Sequence, residues 1–586
     1  MQTPSRNIVL ALTLFLLPLA GCKKTSSVIR QVATGEPDTT QPLQSAINPG
    51  RMDGLQYPDF HDIQPQVNAL YGGREFIPMW VKNGRPTKQA SSLLDEFEHA
   101  AKRGLRPQDY NAGRWSERTA DLKSPESVAK FDVAMTVNAM RFLNDVHRGR
   151  TNPAHFTFGV KGWEQKKLDL PDVLNKQFAD ANDVAAAVDA LEPQSPQFKA
   201  LKQGLQHYVD LAQQDQTDAL PKMDPAAKSI TVTHAYPALK TLVQKLALEG
   251  DLPNGSANAA TNDAAGEKAD DSSMPSSSEI ADGLKHFQGR HALNEDGKLG
   301  SATIDALNIP MAQRVRQIED AMERWRWMDE NYQNAAVVVN LPEFRLRAFE
   351  GTGTDHHEVF RMSVVDGKSD DDTHHTPVIA DMMRYVVFRP YWNVPPSIAR
   401  KEIIPHMQAQ PNYLSAKGYE VVDLKGKVVE PSIAAIARGT QMVRQKSGTS
   451  NALGLVKFMF PNQFNVYLHD TNEKYLFART RRDFSHGCVR VQDPPKLANW
   501  VLRESTKWDE DAIADAMSGD DAQDNKTVLL PKPIPVIIFY GTAWSDDGEM
   551  HFFRDMYGYD KDLEKTVDAG RPYPQKPEKA VTQKDA

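Results

Sequence analysis

A chain of 586 residues with 40% hydrophobic and 25% charged side chains can bury sizeable cores, and its length divides into several folded units rather than one. The net charge of -8 leaves no basic excess for neutralising a phosphate backbone, which excludes nucleic acid as a partner. The chain carries 2 cysteines, Cys22 and Cys488.

The N-terminus opens with Arg6, an apolar run from Ile8 to Ala20, and then Gly21-Cys22. A run of 13 residues is too short to cross a hydrocarbon core as a helix, but it has the length of a signal-peptide hydrophobic region. Leu19-Ala20-Gly21-Cys22 resembles a bacterial lipobox, which implies that residues 1–22 are a lipoprotein signal and that the Cys22 thiol takes a diacylglyceryl group. Several acyl chains on one residue anchor a protein stably where one alone binds only marginally. The expected location is the periplasmic face of a Gram-negative envelope. Lys23 and Lys24 carry no inner-membrane retention signal of the enterobacterial kind, which favours the outer membrane. With Cys22 lipidated, Cys488 has no disulfide partner. A lone thiol in an exported protein is buried filler or a nucleophile, and the Gly-flanked turn around Cys488 points to the nucleophile.

Residues 23–57 are rich in Ser, Thr, Gln, Pro and Gly without hydrophobic period and predict a flexible tether. A helical scaffold domain is expected over 58–225. In it Leu93, Leu94, Phe97, Ala100 and Ala101 recur at helical spacing before the stop signal Lys102-Arg103-Gly104. Residues 251–279 are polar and of low complexity, predicting a disordered insertion. It interrupts a segment, 226–310, whose second half reads LKHFQGRHALNEDGKLGSATIDALN. This resembles a peptidoglycan-binding domain of the small three-helix type, with Phe287, Gln288, Leu293, Asp296, Gly297, Gly300, Thr303 and Leu307 filling core or turn positions. A linker helix is expected over 311–335. From 336 to 561 short β-branched and aromatic runs such as AAVVVN, MRYVVF and PVIIFY, bounded by Pro, Gly and Asn, predict a β-rich domain. Residues 397–450 turn helical inside it, reading as a capping insertion. The tail, 562–586, is charged and expected to be disordered.

Thiols attack carbonyls as thiolates, so Cys488 needs an imidazole or a donor-rich turn. His486 is nearest in the chain. In FNVYLHDT the pattern alternates, with Phe464, Val466 and Leu468 on one face and Asn465, Tyr467 and His469 on the other. The second face could line a cleft, placing His469 as base beside the ring of Tyr467. His486 shares a tight turn with the sulfur and has little freedom to approach it in line. Arg490 lies two residues past Cys488, on the same face of an extended segment, where it could bind a carboxylate or brace the loop through Asp493. The run Asp370 to Asp372 with His374 and His375 reads as a solvated turn rather than a metal site.

Ser485-His486-Gly487-Cys488-Val489-Arg490, with His469 upstream, resembles the catalytic signature of the YkuD-type L,D-transpeptidases. The resemblance implies that Cys488 is the nucleophile, His469 the base oriented by the carbonyl of Asp470, and His486 a supporting residue, with the N–H groups of Gly487 and Cys488 as oxyanion hole. Trp392-Asn393-Val394-Pro395-Pro396 and NALGLVKFMFPN (451–462) are further marks of the large Gram-negative members. By that analogy Trp392 and Tyr467 line the donor-peptide site; Asn393, Ser485 and Arg490 are further candidates for substrate binding, with Arg490 open between a stem-peptide carboxylate and the loop. The expected fold is multidomain α+β: helical scaffold, peptidoglycan-binding-like domain and β-rich catalytic domain with a helical cap. The implied activity is formation of 3-3 diaminopimelate crosslinks between peptidoglycan stem peptides through a cysteine thioester, with no cofactor or metal. Water as acceptor would make an L,D-carboxypeptidase, and an envelope protein's amine an anchoring ligase; a non-catalytic wall-binding lipoprotein is the remaining alternative.

Overall fold

The computed structural model describes residues 38–576 except 121, 225, 254–273 and 520–523. The signal, the lipobox and Cys22 lie outside the described residues. No helix among those described is long and apolar enough to cross a membrane. The fold is multidomain α+β, and the chain divides into two units.

The first unit comprises residues up to Asp95 with Gln108–Met140 and Leu170–Val184. Its centre is a buried carboxylate: Asp132 accepts hydrogen bonds from the Tyr71 hydroxyl at 2.6 Å and from the backbone N–H groups of Met79 and Trp80 at 2.8 and 2.7 Å. The expected tether is shorter than its composition suggests, because Thr40–Ile47 forms a helix that buries Leu43 and Ile47. Two apolar side chains at i and i+4 suffice to dock one short helix, and they are too sparse to show as a period.

The second unit holds Glu96–Pro107, Arg141–Asp169 and everything from Ala185 onward. One sheet dominates it, built from β1 (Gly159–Val160), β2 (Val337–Asn340), β3 (Arg345–Glu350), β4 (His357–Gly367), β5 (Ile379–Phe388), β6 (Val456–Met459), β7 (Leu468–His469), β8 (Asp483–Ser485), β9 (Val489–Val491) and β10 (Lys526–Phe539). The order β6-β7-β9-β4-β3-β2-β10-β5 returns on itself because β5 also pairs with β6. β8 lies parallel to β4, and β1 parallel to β5.

Several expected boundaries move. Strand β1 comes from the region read as scaffold, and Phe158, Trp163, Phe198, Leu201 and Leu205 share one apolar core with the sheet. No independent unit therefore ends at 225. Met311–Trp327 is a core helix rather than a linker. It buries Arg314, Arg324 and Arg326, and the buried charges are partnered: Arg324 bonds Asp560 at 2.6 Å, while the carboxylate of Glu323 accepts from the N–H groups of Arg150 and Thr151 at 2.6 and 3.0 Å. Charge in sequence reads as solvent exposure, whereas here it is paired inside.

The segment 226–310 has its own core, including Leu242, Leu246, Ile280, Leu284, Phe287 and Leu307. The insertion within it is shorter than 251–279. Asp251 is buried against Arg290 at 2.5 Å, and Ser276 with Glu279 forms a capping box that starts the helix Ser277–Arg290. The tail is folded as far as 576: Tyr559–Asp568 is a helix burying Leu563 and Val567, Tyr573 is buried, and Arg571 pairs with Asp145.

The cap is mixed rather than helical and begins at the entry motif. Trp392–Asn393, Tyr419–Asp423 and Gln441–Gln445 make a three-stranded antiparallel sheet around a small apolar core of Val394, Ile398, Ile403, Val421, Ile436 and Val443. Gly439 at φ 73° ends the helix Ile433–Ala437 and releases GTQMVRQ into a strand.

Candidate active site

Two parallel strands carry the site. In β7 and β9, Leu468 pairs with Val489 and His469 with Arg490, and the N–H of Val489 donates to the carbonyl of Tyr467 at 3.1 Å. Paired residues share a face. Leu468 and Val489 are both fully buried and point to the core, so Tyr467, His469, Cys488 and Arg490 share the opposite face, as the alternation of FNVYLHDT predicts. On the outer edge of β7, strand β6 sets Lys457 opposite His469.

His469 is buried, and its Nδ1 bonds the carbonyl of Asp470 at 2.5 Å. With Nδ1 as donor, Nε2 is left as the basic nitrogen. Burial pushes the imidazole down to about 3, helped by the guanidinium of Arg490 and the ammonium of Lys457, while the Asp470 carbonyl works the other way. The Asp470 carboxylate braces the loop, accepting from Leu455 and Thr471 N–H at 2.8 and 2.7 Å and from Lys474 at 2.6 Å.

Cys488 is half-buried. Burial raises its thiol, against donors from the Tyr467 N–H and phenol and the charges of Lys457 and Arg490. The sulfur also lies 3.7 Å from the carbonyl of Asn465. Both shifts favour the neutral forms, thiol and imidazole. Such an imidazole takes the thiol proton only transiently and returns it readily to a leaving group.

The turn before the nucleophile is held by hydrogen bonds. Ser485 is buried; its Oγ donates to the carbonyl of Cys488 at 2.6 Å and accepts from the N–H of Gly487 at 3.1 Å. Ser485 thus braces the turn, and of the two amides read as the oxyanion hole the Gly487 N–H is already engaged by the Ser485 hydroxyl. The Cys488 N–H has no protein partner among the described residues. Gly487 sits at φ 111°, a conformation that favours glycine, and the Thr376 hydroxyl donates to its carbonyl at 2.9 Å.

His486 faces away from this pairing. Its Nε2 bonds Glu402 of the cap at 2.7 Å, and its ring meets His374 edge to face at 4.8 Å. The loop holding His374 and His375 is solvated at Asp370, Asp372 and Thr373, as expected, but its histidines are half-buried: His375 stacks on Tyr557 at 4.2 Å, and Thr376 braces the turn before Cys488. No group of metal-binding side chains occurs among the described residues. Arg490 pairs with Glu473, not Asp493, which instead caps the helix Pro494–Leu502 through Lys496 N–H at 3.1 Å. Trp392 and Asn393 lie in the cap's own sheet, paired with Gln445 and Arg444, and Trp392 packs with Tyr419 at 6.3 Å. Trp392 is half-buried and packs against the cap's apolar core. Sequence reasoning missed Lys457, Glu402, Glu473 and Thr376. Only Lys457 carried a signal, a lysine amid the apolar run GLVKFMF.

A thiol, an imidazole with an ordered tautomer and a glycine turn on adjoining strands are the parts from which a cysteine-nucleophile site is built. Comparison with known proteins narrows the class. Residues 334–536 match the model of the L,D-transpeptidase catalytic domain, YkuD, and residues 65–205 that of the Scaffold domain. The region that carries the site is thus similar to the YkuD L,D-transpeptidase catalytic domain, and a region upstream of it in the chain is similar to the Scaffold domain. A protein of Haemophilus influenzae named "Putative L,D-transpeptidase" is 32% identical over 258 residues, 43% of this chain and 47% of that protein. The matched region thus spans about half the length of that curated relative.

Proposed function

We propose that the protein is a lipid-anchored cell-wall L,D-transpeptidase that forms 3-3 crosslinks in peptidoglycan from the periplasmic side of a Gram-negative envelope. The observation that carries this reading is the register of β7 on β9, which sets Tyr467 and His469 on one face with Cys488 and fixes the His469 tautomer through Asp470.

In this mechanism His469 Nε2 takes the thiol proton as Cys488 attacks the carbonyl of the third-residue diaminopimelate of a donor tetrapeptide stem. Charge on the tetrahedral oxygen is met by the Cys488 N–H. As the C–N bond breaks, the imidazolium protonates the departing D-alanine, leaving a thioester. The side-chain amine of a second diaminopimelate then attacks it, giving its proton to His469 and releasing the crosslinked product and the thiol. No cofactor enters the scheme. Retention at the outer membrane through Cys22 belongs to the same proposal.

Tetrapeptide-bearing muropeptides incubated with the purified chain and with Cys488→Ala test it. Crosslinked dimers formed by the wild type and absent with Cys488→Ala are expected. Tripeptide monomers without dimers would make the protein a carboxypeptidase, and no conversion by either chain would leave a wall-binding lipoprotein.

A further inference from the structure

Lys457 stands on β6 directly opposite His469, so that Lys457, His469 and Arg490 form a row across three adjacent strands. On its other edge Lys457 pairs with Val387, which carries no charge. Its Nζ lies 5.5 Å from the centroid of the Tyr467 ring, and the register that pairs Leu468 with Val489 sets Tyr467 beside Cys488 on the neighbouring strand. The ammonium, the ring and the sulfur are therefore consecutive neighbours on one face.

The two cations of the row are not equivalent. Arg490 is neutralised by Glu473. Lys457 is half-buried, and among the described residues no carboxylate lies within ion-pair distance of its ammonium. Holding such a charge out of water without a counter-ion is costly, and burial lowers its pKa while the sulfur pulls the other way. A chain that keeps an uncompensated cation beside a nucleophile gains from it when negative charge appears there. The negative groups of this reaction are the thiolate and then the tetrahedral oxygen.

We propose that Lys457 is a positioning residue that stabilises the Cys488 thiolate across the Tyr467 ring. The proposal rests on Cys488 being the nucleophile, and its test needs no peptidoglycan. Lys457 lacks the hydrogen-bond reach of a proton carrier; its contribution is a fixed charge in a partly dry site, where the field is stronger than in water. Arg490, already paired, supplies less of that field.

The pH dependence of Cys488 alkylation by iodoacetamide, followed by intact mass on the full chain, reads the thiolate directly. Lys457→Met keeps the aliphatic stem and removes the charge. It is expected to move the alkylation midpoint up by about one pH unit, slowing reaction at neutral pH about tenfold. Lys457→Arg is expected to restore the wild-type midpoint. An unchanged midpoint in Lys457→Met would overturn the proposal and assign the side chain to packing, whatever the muropeptide assay shows. A second measurement uses the wild type alone and so does not depend on the variants folding. Interaction between two titrating groups is reciprocal. Capping the thiol with iodoacetamide is expected to lower the pKa of the Lys457 ammonium, followed by carbon NMR of labelled lysine. A pKa unmoved by capping would likewise count against the proposal.

Discussion

Two histidines flank the nucleophile, and their surroundings differ in every respect that sets chemistry. His469 sits on a strand, buried, with one nitrogen tied to the backbone of Asp470 and cations on both sides. His486 sits on the turn itself, half-exposed, tied to a carboxylate of the cap and leaning on His374. The first is carried by a strand of the sheet, and its ring cannot turn without breaking the hydrogen bond to the Asp470 carbonyl. The second is held by Glu402, a residue of a separate layer with its own core. In the proposed mechanism nearness in the chain therefore does not choose the base; the strand that fixes a tautomer on the sulfur's face does.

Variants can break or sharpen that contrast. His469→Ala is expected to lower kcat/KM for crosslinking by roughly 10²–10⁴, the usual worth of a positioned acid–base group, while His486→Ser stays within about tenfold of the wild type. Equal losses would erase the distinction. Next in size, Ser485→Ala leaves the Gly487 N–H without its acceptor inside the turn and is expected to cost about 1–3 kcal/mol in urea unfolding. A cost indistinguishable from zero would show the turn to be held elsewhere.

The pH dependence of stability probes the strand-borne histidine by itself. Its pKa is lower in the folded chain than the ordinary 6.5, so the unfolded state takes up the proton first. The stability that neutral His469 contributes is complete above pH 6.5 and is lost as pH falls towards 3. Part of the acid loss seen in wild-type unfolding is accordingly expected to disappear in His469→Gln, and an unaltered slope over that window would contradict the buried, neutral ring. His147, pushed down to about 4 by burial, adds to the same loss and remains in both chains. The smallest effect is expected from Glu402→Gln: a change in kcat/KM of less than about tenfold, with KM moving more than kcat, since Glu402 links the cap to the turn without meeting the sulfur's face. A fall in kcat alone would move His486 into the chemistry.

Much of the site can be read from local pattern. Alternation in FNVYLHDT puts Tyr467 and His469 on one face, and the structure pairs that face with Cys488. What local pattern does not carry is register between distant strands. Nothing near Lys457 says that it faces His469 across the sheet, and nothing near Glu402 says that it meets His486. Ser485 is a related case: in sequence a serine beside a nucleophile reads as a candidate for substrate binding, and its bracing of the turn's own backbone shows only in the structure. At the level of the fold, β-branched runs announce most strands of the sheet, but Gly159–Val160 is only two residues long and belongs to it through pairing alone. The core helix Met311–Trp327 is misread as a linker because its arginines look solvated until their partners, such as Asp560, are brought in from far along the chain.

The central claim is that Cys488 accepts the donor stem and that His469, not His486, moves the proton. Rapid-quench intact mass of the full chain mixed with tetrapeptide muropeptide tests both parts at once. The wild type and His486→Ser are expected to gain the donor mass less D-alanine at comparable rates, His469→Ala to gain it at least a hundredfold more slowly, roughly the lower bound for a lost acid–base group, and Cys488→Ala never to gain it. Fast adduct formation in His469→Ala together with its loss in His486→Ser would contradict the account.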